Sequence, residues 1–303
     1  MQPLSKTVVT ITRGRAWLLA TRPKTLPAAI APVVVGAAAA LGEHAFSPLP
    51  ALAALAGALL LQIGVNIAND YFDFGAGIDA PDRKGPVRVT QAGLIPPAQV
   101  RLGMVMTFAA AALVGVYLVV RGGTPILIVG IASILSALAY SGGPWPLASL
   151  GVADLFVFIF FGPVAVCGTY FVQAGSVSGT AAAASIAPGL LITAILVVNN
   201  LRDIKTDARA GKRTLAVRLG VRGSRAEYVL LLGIPFLIPP VFLAAGVRGP
   251  LILLPLLSLP LAPPLLKTLA SQREDGPAMN AALAGTARLA LVYCLLFAIG
   301  LAN

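Results

Sequence analysis

Nine runs of about 20 predominantly apolar residues recur along this chain, each long enough to cross the hydrocarbon core of a bilayer. They lie near 25–42, 49–72, 99–120, 124–141, 152–173, 180–200, 227–246, 249–269 and 281–301. With no water available in hydrocarbon, the backbone of each run must satisfy its own hydrogen bonds, so each is expected as an α-helix. Composition agrees: 58% of residues are hydrophobic and 11% charged, where a soluble domain carries about 25% charged residues. The expected fold class is therefore an all-α polytopic membrane protein, a bundle of nine transmembrane helices forming one domain over residues 1–303. The connections are too short for a separate soluble domain. Residues 1–24 read as an amphipathic cytosolic lead-in, with no apolar core followed by a small-residue cleavage site and hence no cleaved signal peptide.

Cations orient the bundle. With the N-terminus in the cytosol, every Lys and Arg except Arg121 and Arg248 falls to the inner side, Arg288 being counted with them. The C-terminus is then expected outside. The net charge of +11 requires no nucleic acid; anionic inner-leaflet lipids and an anionic substrate are sufficient partners. Cys167 and Cys294 fall inside separate apolar runs, which favours two small core residues over a disulfide or a zinc site. The single histidine, His44, belongs to a short outer loop, so no histidine base is expected on the inner side.

Two polar stretches interrupt this pattern. Asn66 to Gln91, NIANDYFDFGAGIDAPDRKGPVRVTQ, follows the second apolar run and gathers Asp70, Asp73, Asp79 and Asp82 with Arg83, Lys84 and Arg88. Asn199 to Gly220, NNLRDIKTDARAGKRTLAVRLG, follows the sixth. On a helix, Asn66, Asn69, Asp70 and Asp73 share one face, as do Asn199, Asp203 and Asp207. Each box leads into a basic, glycine-containing connection, which hints at a parallel internal repeat. Carboxylates converging from two halves suit a hard divalent cation. Mg²⁺ takes oxygen ligands, keeps waters and bridges one or two carboxylates to substrate phosphates, while Arg and Lys neutralise the remaining charge. The constellation points to a diphosphate held through Mg²⁺ at the membrane surface. A single such cluster is ordinarily a solvated span boundary. Two with matched one-faced spacing, in a chain with only 11 acidic residues, ask for more.

At these residues the chain resembles the UbiA-type superfamily of intramembrane prenyltransferases over nearly its whole length. Asn66, Asn69, Asp70 and Asp73 match the box on the second helix, and Asp203 and Asp207 the box on the sixth. Within the superfamily it is most similar to the branch acting on 1,4-dihydroxy-2-naphthoate. The matching stretches are WLLATRPKTLPAAIAPVVVG from Trp17, GIDAPDRKGPVRVTQAGLI from Gly77, AYSGGPWPL from Ala139, FGPVAVCGTYFVQ from Phe161 and RDIKTDARAGKRTLAVRLG from Arg202. The 4-hydroxybenzoate branch has a tighter first box and carries Lys and Arg after its fourth-helix tyrosine. Here Asp79 lies well beyond Asp73, and Tyr140 is followed by the uncharged SGGPWPL.

The resemblance implies a nine-helix bundle in a bacterial plasma membrane, around a membrane-open cavity capped on the cytosolic side by the two boxes. Its implied substrates are a polyprenyl diphosphate and 1,4-dihydroxy-2-naphthoate, its cofactor Mg²⁺, and its reaction decarboxylative prenylation for menaquinone synthesis. Asp70, Asp73, Asp203 and Asp207 are then the expected Mg²⁺ ligands, with Asp79 completing the first set from a loop. Asn66 is expected to orient a phosphate or a metal-bound water. Lys84, Arg88, Lys212 and Arg213 are candidate diphosphate binders, and Arg22 and Lys24 candidate partners of the aromatic carboxylate. Tyr140, Thr169, Tyr170 and Gln173 are polar groups of the bundle that either meet substrate or bond between helices. Competing readings are another acceptor (4-hydroxybenzoate, homogentisate or a glycerol phosphate) and a secondary transporter. Transporter sites lie near the bilayer midplane on interrupted helices, whereas both boxes here sit at span ends.

Overall fold

The computed structural model describes residues 11–77, 87–271 and 276–303, and these are helical with no strand among them. A short helix, α1 (Arg13–Thr21), ends at Arg22, whose φ of 49° turns the chain. A 3₁₀ turn, Pro23–Thr25, then leads into α2 (Leu26–Gly42). There follow α3 (Pro48–Gly75), α4 (Pro97–Ser141), α5 (Ala153–Ala174), α6 (Gly179–Arg209), α7 (Leu215–Ala244), α8 (Pro250–Ala270) and α9 (Gly276–Ala302).

Helix α4 decides the number of crossings. Drawn straight, its 45 residues would reach ~68 Å at 1.5 Å per residue, more than twice the ~30 Å hydrocarbon core. It breaks at Gly123, where φ is 64° and ψ −154°, a conformation that Gly adopts without a Cβ penalty. Both ends return to one end of the bundle. Ser141 Oγ donates to Asn69 Oδ1 at 2.6 Å, near the end of α3, while the segment leading into Pro97 is bonded to Asp70 of that same helix. Farther along, Val114 and Leu118 face Gly57 of α3. With α4 crossing twice, α2–α9 make nine crossings among the described residues, one for each apolar run.

Between helices in lipid, close backbone approach replaces the hydrophobic drive, and small residues permit it. A Cβ at Gly36 of α2 would lie 2.4 Å from the Val166 carbonyl oxygen of α5, and one at Gly162 of α5 would lie 3.1 Å from Gly189 Cα of α6. The largest buried cluster joins α2, α6, α7 and α9. Its two fully buried tyrosines keep partners: Tyr228 Oη bonds Thr286 Oγ1 at 2.8 Å, and Tyr293 Oη donates to Pro235 O at 2.6 Å. Cys294 is buried in this cluster and Cys167 is half-buried; both are free thiols. Outward faces carry exposed Leu113 and Ile128 on α4, the surface lipid requires.

At the end opposite the acidic boxes, Glu43 follows α2. It accepts from Tyr170 Oη and from Ser178 Oγ at 3.2 Å, and lies 3.5 Å from Arg248 Nη2. Arg248 Nε in turn donates to Leu301 O at 2.9 Å. Gln173 Oε1 accepts from Ser47 N at 3.2 Å while its Nε2 donates to Thr169 O at 2.6 Å. Tyr170 and Gln173 therefore tie helix ends together at this pole. Burial pushes the Glu43 carboxyl up, but bonds from Tyr170, Thr180 and Ser178 and the charge of Arg248 outweigh it, leaving the group below its ordinary value.

Candidate active site

The four polar residues of the first box share a face of α3, yet that face divides. At 100° per residue, Asp70 sits ~60° round the helix from Asp73 and ~100° from Asn69. Asn66, Asn69 and Asp73 line the central cavity; Asp70 does not. Buried to 2% exposure, it accepts from Val89 N at 2.9 Å, Thr90 N at 3.0 Å and Thr90 Oγ1. Asp70, expected to hold Mg²⁺ directly or through water, turns both carboxylate oxygens to the returning segment and forms a clasp with it. That clasp has a consequence one residue earlier. It presses Arg88 against Asp73, whose Oδ2 accepts from Arg88 Nη2 in a buried ion pair.

Asn66 also positions a neighbour. Its Nδ2 donates to Thr21 O at 3.0 Å and Thr25 Oγ1 at 2.9 Å, and Gln62 Nε2 reaches the same hydroxyl at 3.3 Å. The turn between α1 and α2 is thereby fixed on α3, and Arg22 and Lys24 from that turn line the cavity. Asp79 and Lys84 lie outside the described residues.

From the other half, Asn199, Asp203 and Asp207 of α6 line the same cavity, as expected for one face. The organiser of this box is Arg202, which sequence reasoning passed over. Its guanidinium donates to Asp203 through Nε (2.9 Å) and Nη2 (2.6 Å), to Asn199 Oδ1 at 2.9 Å and to Asn280 Oδ1 of α9 at 2.8 Å. The arginine was legible beside the aspartate, but Asn280 is distant in sequence and carried no signal. Lys212 Nζ lies 3.6 Å from Asp207 Oδ1. Arg213, expected at the diphosphate, is exposed and absent from the cavity wall. Its backbone N–H instead donates to Ser149 O at 2.9 Å, and Arg218 Nη2 bonds Leu150 O at 2.7 Å, lacing two loops together.

The cavity between the boxes has a volume of about 1850 Å³, above the roughly 300–1,000 Å³ of sites for drug-sized ligands. Its acidic end holds Asp73, Asp203, Asp207 and Tyr140; beyond them the wall turns apolar with Leu61, Val65, Ile134 and Leu196. Among the described residues no three acidic, histidine or cysteine side chains gather as a ready-made metal cage. Asp73, Asp203 and Asp207 each face a cation instead. Such a donor set fits Mg²⁺ entering with a diphosphate, since that ion takes one or two carboxylates and completes its shell with phosphate and water. A charged head at one end and a long apolar tail beyond it is what the cavity can hold.

Comparison with known proteins agrees. The model of the UbiA prenyltransferase family matches residues 29–292. The chain is 47% identical over 218 residues to the 1,4-dihydroxy-2-naphthoate octaprenyltransferase of Mycobacterium tuberculosis, covering 72% of this chain and 74% of that one. It is 40% identical to the protein of the same name from Escherichia coli, over 96% of both chains. A UbiA homologue from Archaeoglobus fulgidus, solved bound to DMAPP and Mg²⁺, superposes with a TM-score of 0.58 at 13% identity, covering 93% of this chain and 99% of that one. The fold is thus one already seen in solved structures, and the chain belongs to the UbiA prenyltransferase family.

Proposed function

We propose that this protein transfers a polyprenyl group from its diphosphate to 1,4-dihydroxy-2-naphthoate, with loss of the carboxylate as carbon dioxide and release of diphosphate, to give demethylmenaquinone in its reduced, hydroquinone form for menaquinone synthesis. The observation that carries the reading is the meeting of two aspartate boxes, one from α3 and one from α6, at the polar end of a single apolar cavity. The names of its relatives at 47% and 40% identity support the acceptor.

In this reading Asp73, Asp203 and Asp207 hold Mg²⁺, directly or through water, and Arg88, Arg22, Lys24 and Lys212 surround the diphosphate with positive charge. Bound there, Mg²⁺ supplies Lewis-acid neutralisation of the departing diphosphate. Arg202 keeps Asp203 and Asn199 aimed at the cavity, and Asp70 keeps Arg88 in place. As the allylic C–O bond breaks, the cation is left among aromatic and aliphatic walls that include Tyr140 and Phe160; aromatic faces attract positive charge. Those walls also exclude water, which would otherwise capture the cation. The electron-rich naphthalene ring attacks, its carboxylate is lost, and a bulk acid–base group is not needed because the dihydroxy ring is already a strong nucleophile. The box end faces the cytosol in this reading, supported by the cations gathered around it.

The test is turnover by purified protein with metal withdrawn by chelation and restored. Mg²⁺-dependent diphosphate release that falls by at least ~100-fold in both Asp73→Asn and Asp203→Asn is expected, a removed transition-state charge contact costing about 3–4 kcal/mol. Near-normal release by either variant at saturating Mg²⁺ would contradict the two-box site.

A further inference from the structure

Arg288 sits where an arginine is costly. It lies 12 residues into α9 from Gly276, ~18 Å along the helix at 1.5 Å per residue, within a span whose hydrocarbon surroundings are ~30 Å thick. The sequence had counted it with the inner loop; the structure carries it into the membrane. It is exposed, and the surface it exposes belongs to the central cavity. Unlike Arg88, Arg202 and Lys212, it has neither hydrogen bond nor ion pair among the described residues. An ionisable side chain inside a span ordinarily faces a polar partner or a substrate path.

Its depth suggests which part of a substrate it meets. Asn280, about two turns above on α9 and likewise lining the cavity, is bonded to Arg202 and so marks the level of the second acidic box. Arg288 lies ~12 Å below that level by helix rise, too deep at its Cα for the diphosphate. Side chains on a helix lean toward its N-terminus, and the N-terminus of α9 is the box end. The guanidinium is therefore directed from the apolar tail region back toward the reacting centre. Around it the cavity wall is aliphatic, with Ile195, Leu196, Ala284 and Leu291. A flat ring bearing one carboxylate fits this combination, since guanidinium pairs with carboxylate through two parallel bonds.

We propose that Arg288 anchors the carboxylate of the aromatic acceptor and so selects for a carboxylated ring. This rests on the prenyltransferase reading above. Lys24, another cavity cation with no partner among the described residues, sits on the 3₁₀ turn ahead of α2, and its stronger hydration suits it to the more solvated diphosphate end.

The experiment compares wild type, Arg288→Gln, Arg288→Lys and Lys24→Gln in detergent, each checked for thermal unfolding. The acceptors are 1,4-dihydroxy-2-naphthoate and 1,4-dihydroxynaphthalene, the same ring without the carboxylate. Arg288→Gln should raise KM for the carboxylated acceptor about ten- to a hundredfold, the size of a lost bond to a charged group. KM for the prenyl diphosphate should move less than about threefold, and the preference between the two acceptors should collapse. Arg288→Lys, which keeps charge but loses the fork, should fall between. Unchanged acceptor KM in Arg288→Gln would overturn the assignment. So would an equal loss on both acceptors, a rise confined to the prenyl diphosphate, or the collapse appearing in Lys24→Gln alone. Failure of wild type itself to prenylate the carboxylated ring would overturn the function reading and this assignment together.

Discussion

Replacing Asp70 by Asn separates a clasp from a metal ligand. In the structure three donors converge on this carboxylate: Val89 N at 2.9 Å, Thr90 N at 3.0 Å and Thr90 Oγ1. A hydrogen bond to a charged group is worth about 1.5–3 kcal/mol. Asparagine with its oxygen in the Oδ1 place keeps both Thr90 bonds in weakened form but turns its NH₂ toward the Val89 N–H, so one backbone donor is left opposed. The closed segment should lose about 2–4 kcal/mol, a shift of roughly 30- to 1,000-fold toward release. Arg88 then leaves Asp73, and the diphosphate end loses a cation rather than a metal ligand. Initial rates measured against prenyl diphosphate at several Mg²⁺ concentrations read this out. Asp70→Asn should raise KM for the diphosphate and lower stability, with half-saturating Mg²⁺ shifted less than about threefold. Asp73→Asn should instead raise the Mg²⁺ requirement by about tenfold or more. If Asp70→Asn raises the Mg²⁺ requirement as much as Asp73→Asn does, the clasp is wrong and Asp70 is a ligand.

Three further outcomes are expected. Arg202→Lys cannot reproduce a fork shared by Asp203, Asn199 and Asn280, so kcat should fall about 10- to 100-fold; steady-state kinetics within twofold of wild type would remove Arg202 from the site. Gly36→Ala forces a backbone shift against the Val166 oxygen 2.4 Å away and should cost at least ~2 kcal/mol, whereas Gly233→Ala, with nothing within 4 Å of the added carbon, should be neutral in the same thermal unfolding assay. Glu43 has a carboxyl held below its ordinary 4.5 by its partners, so its stabilisation is complete above that value and is lost as pH falls through the lowered one; the stability gap between wild type and Glu43→Gln should be constant near neutral pH and close at acid pH.

Much of the fold was legible because the bilayer imposes a length on each apolar run. Even the doubled α4 was written as two runs meeting near Gly123, where glycine and Pro125 permit the reversal. The boxes were legible as shared helix faces, but a face is broad. Which side of it points inward was decided by what packs beside α3: the returning segment captures Asp70 while Asn69 and Asp73 stay with the cavity. Asn280 could not be found, since its part depends on α9 lying against α6. Arg213 misled because a basic loop beside an acidic box looks the same whether it turns in or out. Arg288 was visible as an arginine within an apolar run, yet its meaning required the cavity that opens on its face of α9.

The central claim is tested most directly by the product. Purified protein supplied with Mg²⁺, one polyprenyl diphosphate and, in parallel, 1,4-dihydroxy-2-naphthoate or 4-hydroxybenzoate should be followed by mass spectrometry. The account predicts a prenylated naphthalene that has lost the mass of carbon dioxide, diphosphate in equal amount, and little product from 4-hydroxybenzoate. Prenylated naphthoate retaining its carboxylate, or comparable turnover of the two acids, would contradict it.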